Sequence, residues 1–339
     1  MSEKGVKNIL ITGAAGFIGQ QLAARLLNDA SAQYRVILSD IVVPPVPEHG
    51  ETPERAVSVQ TDLRDPKSLA DVVATSQPLA AVFVFHGIMS SGSEADPDLS
   101  FAVNLDSTRA LLMHLAATNP GVRVVYASSQ AVYGPPLPPV VTDATTPTPA
   151  SVYGTHKLMS ELLINDLHRR GLLDAFSLRF PSISVRAGKP TQAASSFLSG
   201  MIREPLNGHE CIIPLKDRSY RAVLCSPSIL MENLVKVMNL PSDSLPTHIR
   251  GMNVPGISAT IQEMMDALEV FGGKKALALL KEEPDPVTER ILRSWALDVD
   301  CSTALRLGLV QDKSVESLVR EYWRISRHSR RTRKQYIVS

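Results

Sequence analysis

Two side chains near the middle of the chain, Tyr153 and Lys157, have the chemistry to transfer a proton together. They lie four residues apart in a segment whose apolar pattern predicts a helix over residues 151–170, so both are expected on one face of that helix. A phenol with a pKa of about 10 is a poor base at neutral pH, whereas a neighbouring ammonium favours the phenolate. The pair is therefore a candidate base, although tyrosine and lysine at this spacing also occur on many helices with no catalytic role.

A hydroxyl group precedes this helix in the chain. Ser129 follows a predicted strand over residues 122–128. In open α/β folds, ligands bind beyond the carboxyl ends of the strands. We therefore expect the Ser129 hydroxyl in the same site as the tyrosine and the lysine.

A glycine-rich turn near the start of the chain predicts a dinucleotide site. Gly13, Gly16 and Gly19 lie between a predicted strand over residues 6–12 and a predicted helix over residues 16–29. Glycine lets the backbone turn tightly and approach a pyrophosphate, and the first N–H groups of the helix can bind the phosphates. A purely structural turn is the alternative, but the strand, the helix and an acidic residue downstream supply the context that the motif requires.

That acidic residue is Asp40, at the end of the second predicted strand. Its carboxylate can accept hydrogen bonds from ribose hydroxyls and would repel a 2′-phosphate, and no arginine directly follows it. We therefore predict NAD rather than NADP. Asp62, after the third predicted strand, has two interpretations: a hydrogen bond to the adenine amino group, or the N-terminal cap of the next helix.

The elements that position these residues predict a doubly wound Rossmann sheet of parallel strands, with helices on both faces. Apolar runs predict strands over residues 6–12, 34–40, 56–60, 80–86, 122–128 and 175–180, and periodic patterns predict helices over residues 16–29, 66–75, 99–118 and 151–170. The proline-rich residues 135–149 are predicted to form a loop. We expect an NAD-binding domain over residues 1–184 and a smaller α/β substrate lobe over residues 185–325, with possible returns of the chain to the main sheet.

In the second half, short helices are predicted over residues 193–203, 227–237, 261–271, 287–294 and 315–325, and short strands near residues 211–213 and 221–224. The last segment, residues 326–339, is rich in arginine and lysine. It is predicted to be a solvated basic tail, with contact to anionic partners as the alternative.

The composition excludes several classes of protein. Of the 339 residues, 44% are hydrophobic and 20% charged, and the formal net charge is +1, which argues against a disordered chain or a nucleic-acid-binding protein. The three cysteines are far apart and fit neither a disulfide framework nor a zinc site, so no metal is predicted. The sequence has neither a signal-peptide pattern nor an apolar run of membrane-spanning length. We expect a cytoplasmic globular protein that binds no membrane.

Together, these motifs resemble the extended short-chain dehydrogenase/reductase family, also called the NAD-dependent epimerase/dehydratase family. The matching motifs are G-x-x-G-x-x-G at the turn, S-S-x-x-V-Y-G around Ser129 and Y-x-x-x-K at Tyr153. The resemblance implies that Tyr153 is the general acid/base, that Ser129 orients the substrate, and that Lys157 lowers the tyrosine pKa and holds the nicotinamide ribose. It also makes Asn104 a catalytic candidate and suggests a homodimer. The cofactor contacts predicted are Gly13, Gly16, Phe17, Ile18, Gly19, Asp40, Asp62, Leu63, Gly87, Tyr153 and Lys157.

The second half of the sequence resembles the D-erythronate dehydrogenase branch of this family. Residues 181–190, 194–197 and 202–206 carry that likeness, whereas the segment around Tyr220 lacks the acidic residues typical of members that act on nucleotide sugars. The resemblance implies oxidation of a secondary alcohol beside a carboxylate. An acid substrate needs a fixed cation, for which Arg186 is the first candidate, with Ser195 and Ser196 as hydroxyl partners. Met89 lies in a loop after the fourth strand where related sequences tend to have small residues, so its side chain can reshape the pocket.

Three functions are therefore compatible with the sequence. The first is an NAD-dependent dehydrogenase that converts a small D-erythronate-like sugar acid to the 2-keto acid. The second is a nucleotide-sugar epimerase or dehydratase that keeps NAD bound. The third is a non-catalytic NAD-sensing protein, which the intact Ser129, Tyr153 and Lys157 disfavour.

Overall fold

The protein is described by a computed structural model that covers residues 7–31, 34–47, 50–188 and 195–337, with side chains through residue 327. The strands are β1 (Lys7–Thr12), β2 (Tyr34–Asp40), β3 (Ala56–Gln60), β4 (Leu79–Val84), β5 (Arg123–Ser129), β6 (Asp174–Phe180), β7 (Ser182–Ile183), β8 (Cys211–Ile213), β9 (Arg221–Cys225), β10 (Gly251–Asn253), β11 (Ile257–Thr260) and β12 (Leu280–Glu282).

The helices are α1 (Phe17–Leu27), α2 (Pro66–Thr75), α3 (Ser90–Ala95), α4 (Pro97–Ser100), α5 (Ser107–Thr118), α6 (Val152–Arg169), α7 (Ser196–Leu206), α8 (Pro227–Met238), α9 (Ile261–Leu277), α10 (Pro286–Leu292), α11 (Ser302–Arg306) and α12 (Val315–Ile337). A π-helical segment, Phe101–Asp106, joins α4 to α5. None of the described helices is both long and apolar enough to cross a membrane.

Seven parallel strands form the main sheet, in the order β10-β6-β5-β4-β1-β2-β3. The predicted Rossmann fold is therefore confirmed. From β1 the chain adds β2 and β3 on one side of the sheet and then, from β4 onward, adds strands on the other side. The carboxyl ends of β1 and β4 therefore border a crevice. Two small sheets, β11-β9-β7 and β12-β8, belong to the second half of the chain.

Strands that are buried on both faces of a parallel sheet have continuously apolar sequences, so their ends can be predicted from the sequence. The long apolar segments accordingly fold close to their predicted bounds. β2, β3, α2 and β8 have the predicted bounds, and residues 135–149 contain no regular helix or strand. The predicted strand over residues 80–86 ends earlier, at Val84, because the backbone N–H of Phe85 binds the Thr12 side chain (3.2 Å) instead of a neighbouring strand.

The helix predicted over residues 99–118 is wrong as a single regular helix. It begins as α4, passes through the π-helical segment around Asn104, and continues as α5. An extra residue in one turn of a helix forms a π-bulge, a feature frequent at functional sites.

The bounds of all five helices predicted in the second half differ from prediction, although α8 only ends one residue later, at Met238. α7 begins at Ser196, and residues 193 and 194 of the predicted helix lie outside the described residues. α9 continues past residue 271 to Leu277 across a kink at Gly273, and the aspartate cap at Asp285 starts α10 one residue early. α12 continues beyond residue 325 to Ile337, so the backbone of most of the predicted basic tail is helical.

The second half of the chain returns to the main sheet. β10 pairs with β6, and α8 packs against α1, so Leu230, Leu234 and Met252 lie in one hydrophobic core with β1 and β2. A separate core lies among α7, α9 and α12. This second core supports the part of the chain that was predicted to form the substrate lobe.

Candidate active site

A cavity of about 750 Å³ lies beyond the carboxyl ends of the main-sheet strands and is lined by both halves of the chain. Cavities of this size hold cofactors and small molecules. The predicted site residues that line it are Gly13, Gly16, Phe17, Ile18, Gly19, Asp40, Asp62, Leu63, Gly87, Ser129, Tyr153, Lys157, Arg186 and Ser195. Asn104 and Ser196 are not among the lining residues.

The glycine turn is closely packed against the end of the fourth strand. Gly13 has φ = +67°, and a Cβ there would lie 2.6 Å from the backbone nitrogen of His86. A Cβ at Gly19 would lie 2.6 Å from the carbonyl oxygen of Gly13. Gly16 caps α1 without a side chain, which leaves the first N–H groups of the helix facing the cavity. The turn can therefore receive a pyrophosphate, and bulkier residues would fill the space.

Two backbone groups orient the carboxylate of Asp40 at the edge of this turn. It accepts hydrogen bonds from the N–H groups of Ala15 (2.9 Å) and Ile41 (2.7 Å). The carboxylate thus joins the end of β2 to the turn before α1. Each carboxylate oxygen can accept a further hydrogen bond, as binding of a ribose diol requires.

Asp62 pairs with a neighbour that the sequence analysis did not single out. It forms a bidentate ion pair with Arg64, whose Nη2 lies 2.6 Å from Oδ2 of Asp62. The hydrogen bonds from Arg64 lower the pKa of Asp62. The N-terminal cap of α2 is Asp65, which accepts a hydrogen bond from the Ser68 N–H (2.8 Å), so the cap interpretation of Asp62 is wrong. Arg64 also lines the cavity.

His86 connects three elements behind the glycine turn. Its Nδ1 lies 2.8 Å from Oγ1 of Thr12, and its Nε2 lies 3.1 Å from Oγ of Ser107. Nε2 also lies 3.2 Å from Oγ1 of Thr108, so both ring nitrogens have hydroxyl partners. Burial, and then the Lys157 charge, lower the pKa of His86 to about 3. The imidazole is therefore neutral and fixes the glycine turn against α5.

Asn104 supports a loop. Its Oδ1 accepts a hydrogen bond from the N–H of Ile88 (2.6 Å), and its Nδ2 donates to the carbonyl of Ile88 (3.0 Å) and to Ser100 (3.1 Å). A Cβ at Gly87 would lie 3.0 Å from the same Oδ1. The structure therefore places Asn104 behind the loop that lines the cavity.

Ser129, Tyr153 and Lys157 meet on one wall of the cavity. Burial raises the pKa of Tyr153 to about 12, while hydrogen bonding with the Ser129 side chain and the Arg186 charge act in the opposite direction. The Lys157 ammonium donates to the carbonyl of Ala127 (2.7 Å) and lies 5.5 Å from the centre of the Tyr153 ring. Burial lowers the pKa of Lys157 to about 8. Burial thus disfavours the charged forms of both side chains, the Tyr153 phenolate and the Lys157 ammonium.

A buried ion pair lies behind this wall. Glu161, one helical turn after Lys157, binds Arg179 of β6 (2.7 Å) and accepts a hydrogen bond from Ser128 (2.5 Å). Arg179 also donates to the hydroxyl of Tyr133 (2.6 Å). The network ties α6 to β5 and β6, so it holds the helix that carries Tyr153 and Lys157 in register with Ser129.

Arg186 also lines the cavity, and its backbone is held by two hydrogen bonds to α7. Its N–H donates to Oγ of Ser199 (3.1 Å), and its carbonyl accepts from Nη1 of Arg203 (2.9 Å). Burial, and then the Arg203 charge, lower the pKa of Arg186, whereas Tyr153 acts in the opposite direction. These bonds fix the backbone of Arg186, and a guanidinium that lines the cavity can bind a carboxylate with two parallel hydrogen bonds.

Apolar and aromatic side chains close the substrate end of the cavity. Tyr220 directly precedes β9, and Val223 lies on that strand. Trp295 comes from the segment after α10, and Met89 comes from the loop after β4. The hydroxyl of Tyr220 donates to the carbonyl of Leu292 (3.0 Å), so its ring, not its hydroxyl, is available to a ligand. Of these side chains, only Met89 was predicted to shape the pocket, because nothing in the local sequence around Tyr220 or Trp295 indicates that they line a cavity.

This arrangement can bind a dinucleotide at the glycine turn and a small anion at Arg186. Between the two lies a tyrosine that can exchange a proton with a hydroxyl group of a ligand. Within the described residues, no group of three or more His, Cys, Asp or Glu side chains is arranged to hold a metal ion.

Comparisons with known proteins give a consistent result. Residues 9–222 match the model of the NAD dependent epimerase/dehydratase family. The chain is 39% identical to D-erythronate dehydrogenase of Cupriavidus necator, over 93% of this chain and 97% of the relative. It is 36% identical to D-erythronate dehydrogenase of Haemophilus influenzae, over 93% and 98% respectively. Its fold is similar to the crystal structure of a nucleoside-diphosphate-sugar epimerase from Agrobacterium tumefaciens, with a TM-score of 0.85, 32% identity, and coverage of 94% and 95%.

Proposed function

The chain belongs to the NAD dependent epimerase/dehydratase family and is an NAD-dependent oxidoreductase acting on CH–OH groups, and we propose that its substrate is a small sugar acid. The proposed reaction oxidises the secondary alcohol beside the carboxylate of a D-erythronate-like acid to the 2-keto acid. The observation that carries this proposal is the position of Arg186, which lines the same cavity as Tyr153 and whose charge opposes the rise in the Tyr153 pKa. The names of the two D-erythronate dehydrogenase relatives support the same substrate class.

The cofactor end fits NAD. The cradle at Gly13 and Gly19 has no room for a Cβ, as expected where a pyrophosphate approaches the backbone, and Asp40 presents a carboxylate for the adenosine ribose. The same negative charge disfavours the additional phosphate of NADP. Bound NAD supplies the hydride acceptor of the reaction.

Tyr153 is proposed as the base. As the carbon beside the carboxylate loses its hydride, the Tyr153 phenolate takes the hydroxyl proton, so the alcohol loses one hydride and one proton and becomes a ketone. Ser129 donates a hydrogen bond that orients the substrate oxygen, and Lys157 holds the nicotinamide ribose. Because burial alone keeps Tyr153 protonated, the base depends on the positive charges of Lys157 and Arg186 to favour its phenolate form.

Arg186 is proposed to bind the substrate carboxylate. A bidentate pair fixes the carboxylate plane and so places the adjacent hydroxyl toward Tyr153. Ser195, at the start of α7, lines the same end of the cavity and is a further hydroxyl partner. Ser196 begins α7 and stays a predicted partner.

A substrate panel tests this function. Purified protein is incubated with four-carbon aldonates of each configuration and with NAD or NADP, and the absorbance of the reduced nicotinamide is followed. We expect reduction of NAD with at least one aldonate and much slower reduction of NADP. Interconversion of a nucleotide sugar without net NAD reduction, together with inactivity on all the aldonates, would instead support an epimerase.

We also propose that the enzyme is a cytoplasmic homodimer that associates through α5 and α6. Met113 on α5 and Met159 and Leu162 on α6 are 43 to 59% exposed, and the two helices pack side by side. Exposed apolar side chains grouped on adjacent helices are typical of interfaces.

Leu162→Glu should yield a monomer in sedimentation analysis, whereas Val270→Glu on α9, also at an exposed apolar position, should leave a dimer. A wild-type monomer would contradict the proposal.

A further inference from the structure

The Lys157 ammonium lies between two aromatic rings. Its Nζ is 4.7 Å from the centre of the Tyr126 ring and 5.5 Å from that of the Tyr153 ring, and the residue is 3% exposed. Within the described residues, one hydrogen bond is found for this ammonium, to the carbonyl of Ala127. A buried ammonium has three N–H donors and loses most of its hydration, so the Tyr126 ring replaces part of the lost solvation.

The other groups that face Lys157 do not neutralise it. His86, beyond β4, is a neutral imidazole. On α6, Glu161 favours the ammonium form, but its carboxylate oxygens are bound to Arg179 of β6 and to Ser128 of β5. Tyr153, also on α6, is a neutral phenol until it loses its proton. The Tyr126 ring is therefore the nearest ring face that the fold supplies to the ammonium.

Tyr126 contributes to this site through its aromatic ring and not through ionisation of its hydroxyl group. It is 1% exposed in the core between the sheet and α5 and α6, and burial raises its pKa above the ordinary value. It therefore stays a neutral phenol, and its contribution comes from the negative face of the ring. Because it is on β5, one residue before the carbonyl that binds Lys157, the same strand provides both contacts.

We propose that Tyr126 is a positioning residue whose ring keeps Lys157 charged and in place beneath Tyr153. This inference rests on the proposed function for its catalytic consequence, but the charge state of Lys157 can be measured without any substrate. The Tyr126 hydroxyl is not required, and phenylalanine should serve equally well. A side chain without a ring should lower the pKa of Lys157, because the ammonium loses its favourable partner while staying buried.

The test compares Tyr126→Leu with the matched variant Tyr126→Phe. In protein labelled with ¹³C-lysine, the Cε resonance of Lys157, assigned through Lys157→Arg, is titrated against pH. We expect Tyr126→Phe to retain the wild-type midpoint and Tyr126→Leu to lower it by about one pH unit. An unchanged midpoint in folded Tyr126→Leu would overturn the proposal.

Fluorinated phenylalanines at position 126 separate the ring charge from packing. They keep the shape of the ring but withdraw electron density from its face, so the Lys157 midpoint should fall stepwise with the number of fluorines. A midpoint that is independent of fluorination would overturn the proposal even if Tyr126→Leu fails to fold.

The catalytic consequence appears in the pH dependence of kcat/KM. The active form needs Lys157 protonated, so its high-pH limb should move to lower pH in Tyr126→Leu and be restored in Tyr126→Phe. If no variant has activity with any aldonate while the NMR midpoints shift as expected, the proposed function fails and the role of Tyr126 stands.

Discussion

The cofactor end and the substrate end of the cavity are built from the chain in different ways. Gly13, Gly16 and Asp40 lie within 28 consecutive residues, and backbone hydrogen bonds fix their geometry. By contrast, Arg186 and Trp295 are more than 100 residues apart and meet only through the packing of the substrate lobe. The cofactor end thus depends on backbone shape and the substrate end on side-chain identity, so substitutions at the two ends should fail in different ways.

The largest effect is expected at Tyr153, where the two ends meet. Tyr153→Phe removes the proton acceptor but keeps the ring beside Lys157, so kcat should fall by about 10³-fold, while the affinity for NAD, measured by calorimetry, changes little. Tyr34→Phe, a tyrosine at the start of β2 that is absent from the cavity lining, is the control. Substantial residual turnover in Tyr153→Phe would refute the role of the base.

A substitution in the glycine turn tests whether backbone shape governs the cofactor end. Gly13→Ala puts a Cβ 2.6 Å from the backbone of His86 at φ = +67°, so the free energy of unfolding should fall by about 3 kcal/mol and NAD should bind poorly. Gly171→Ala is the matched control, because φ is +71° there and no atom lies within 4 Å of the added Cβ. It should cost about 1 kcal/mol in urea unfolding and leave NAD binding intact. Equal losses in both variants would contradict the close-packing argument.

Arg186→Ala tests whether side-chain identity governs the substrate end. Loss of a charge-assisted pair should raise KM for the acid substrate by about 10- to 100-fold, with unchanged stability and NAD affinity. Arg186→Lys should recover part of the loss, because lysine keeps the charge without the bidentate geometry. Arg218→Ala, which breaks an exposed ion pair with Glu282, serves as the control. If KM does not change in Arg186→Ala, another cation binds the carboxylate.

The smallest effect is expected for Asp40→Asn. The amide keeps one acceptor but loses the negative charge, so the Kd of NAD should rise about fivefold and the preference for NAD over NADP should narrow. Asp71→Asn, at an exposed position on α2, controls for the change in net charge. A preference for NAD as strong as in the wild type would show that steric exclusion, and not charge, rejects NADP.

The contrast between local backbone shape and long-range packing also explains which features could be predicted from the sequence. Six of the seven strands of the main sheet and the turn at Gly13 follow from local rules of burial and backbone conformation, and the structure has them close to the predicted bounds, whereas β10 was not predicted. The N-terminal cap at Asp65 was missed, because two aspartates three residues apart offer equivalent caps until the backbone is known. The π-helical turn around Asn104 was missed because an apolar periodicity does not reveal a single inserted residue.

The positions of the remaining site residues depend on tertiary contacts. The role of His86 depends on Thr12 and Ser107, which are distant in sequence, and the Tyr126 ring reaches Lys157 only because β5 packs against α6. Tyr220 and Trp295 enter the cavity through the fold of the substrate lobe, which consists of short elements with weak patterns. Motifs therefore predicted which residues belong to the candidate site, whereas the side chains that form the rest of the cavity wall could not be predicted.

The pairing of β10 with β6 has a consequence for how the protein can be divided. A strand contributed from beyond residue 250 completes a sheet that otherwise comes from the first 180 residues, and α8 covers α1 on the same core. The halves therefore share one cooperative unit, so a fragment that ends at residue 184 should expose an unpaired strand edge and aggregate. Recombination between relatives that exchanged everything after residue 184 would replace part of this core along with the substrate lobe. A viable exchange of specificity has to retain α8 and β10 and transfer the segments around Arg186, Tyr220 and Trp295 as separate insertions.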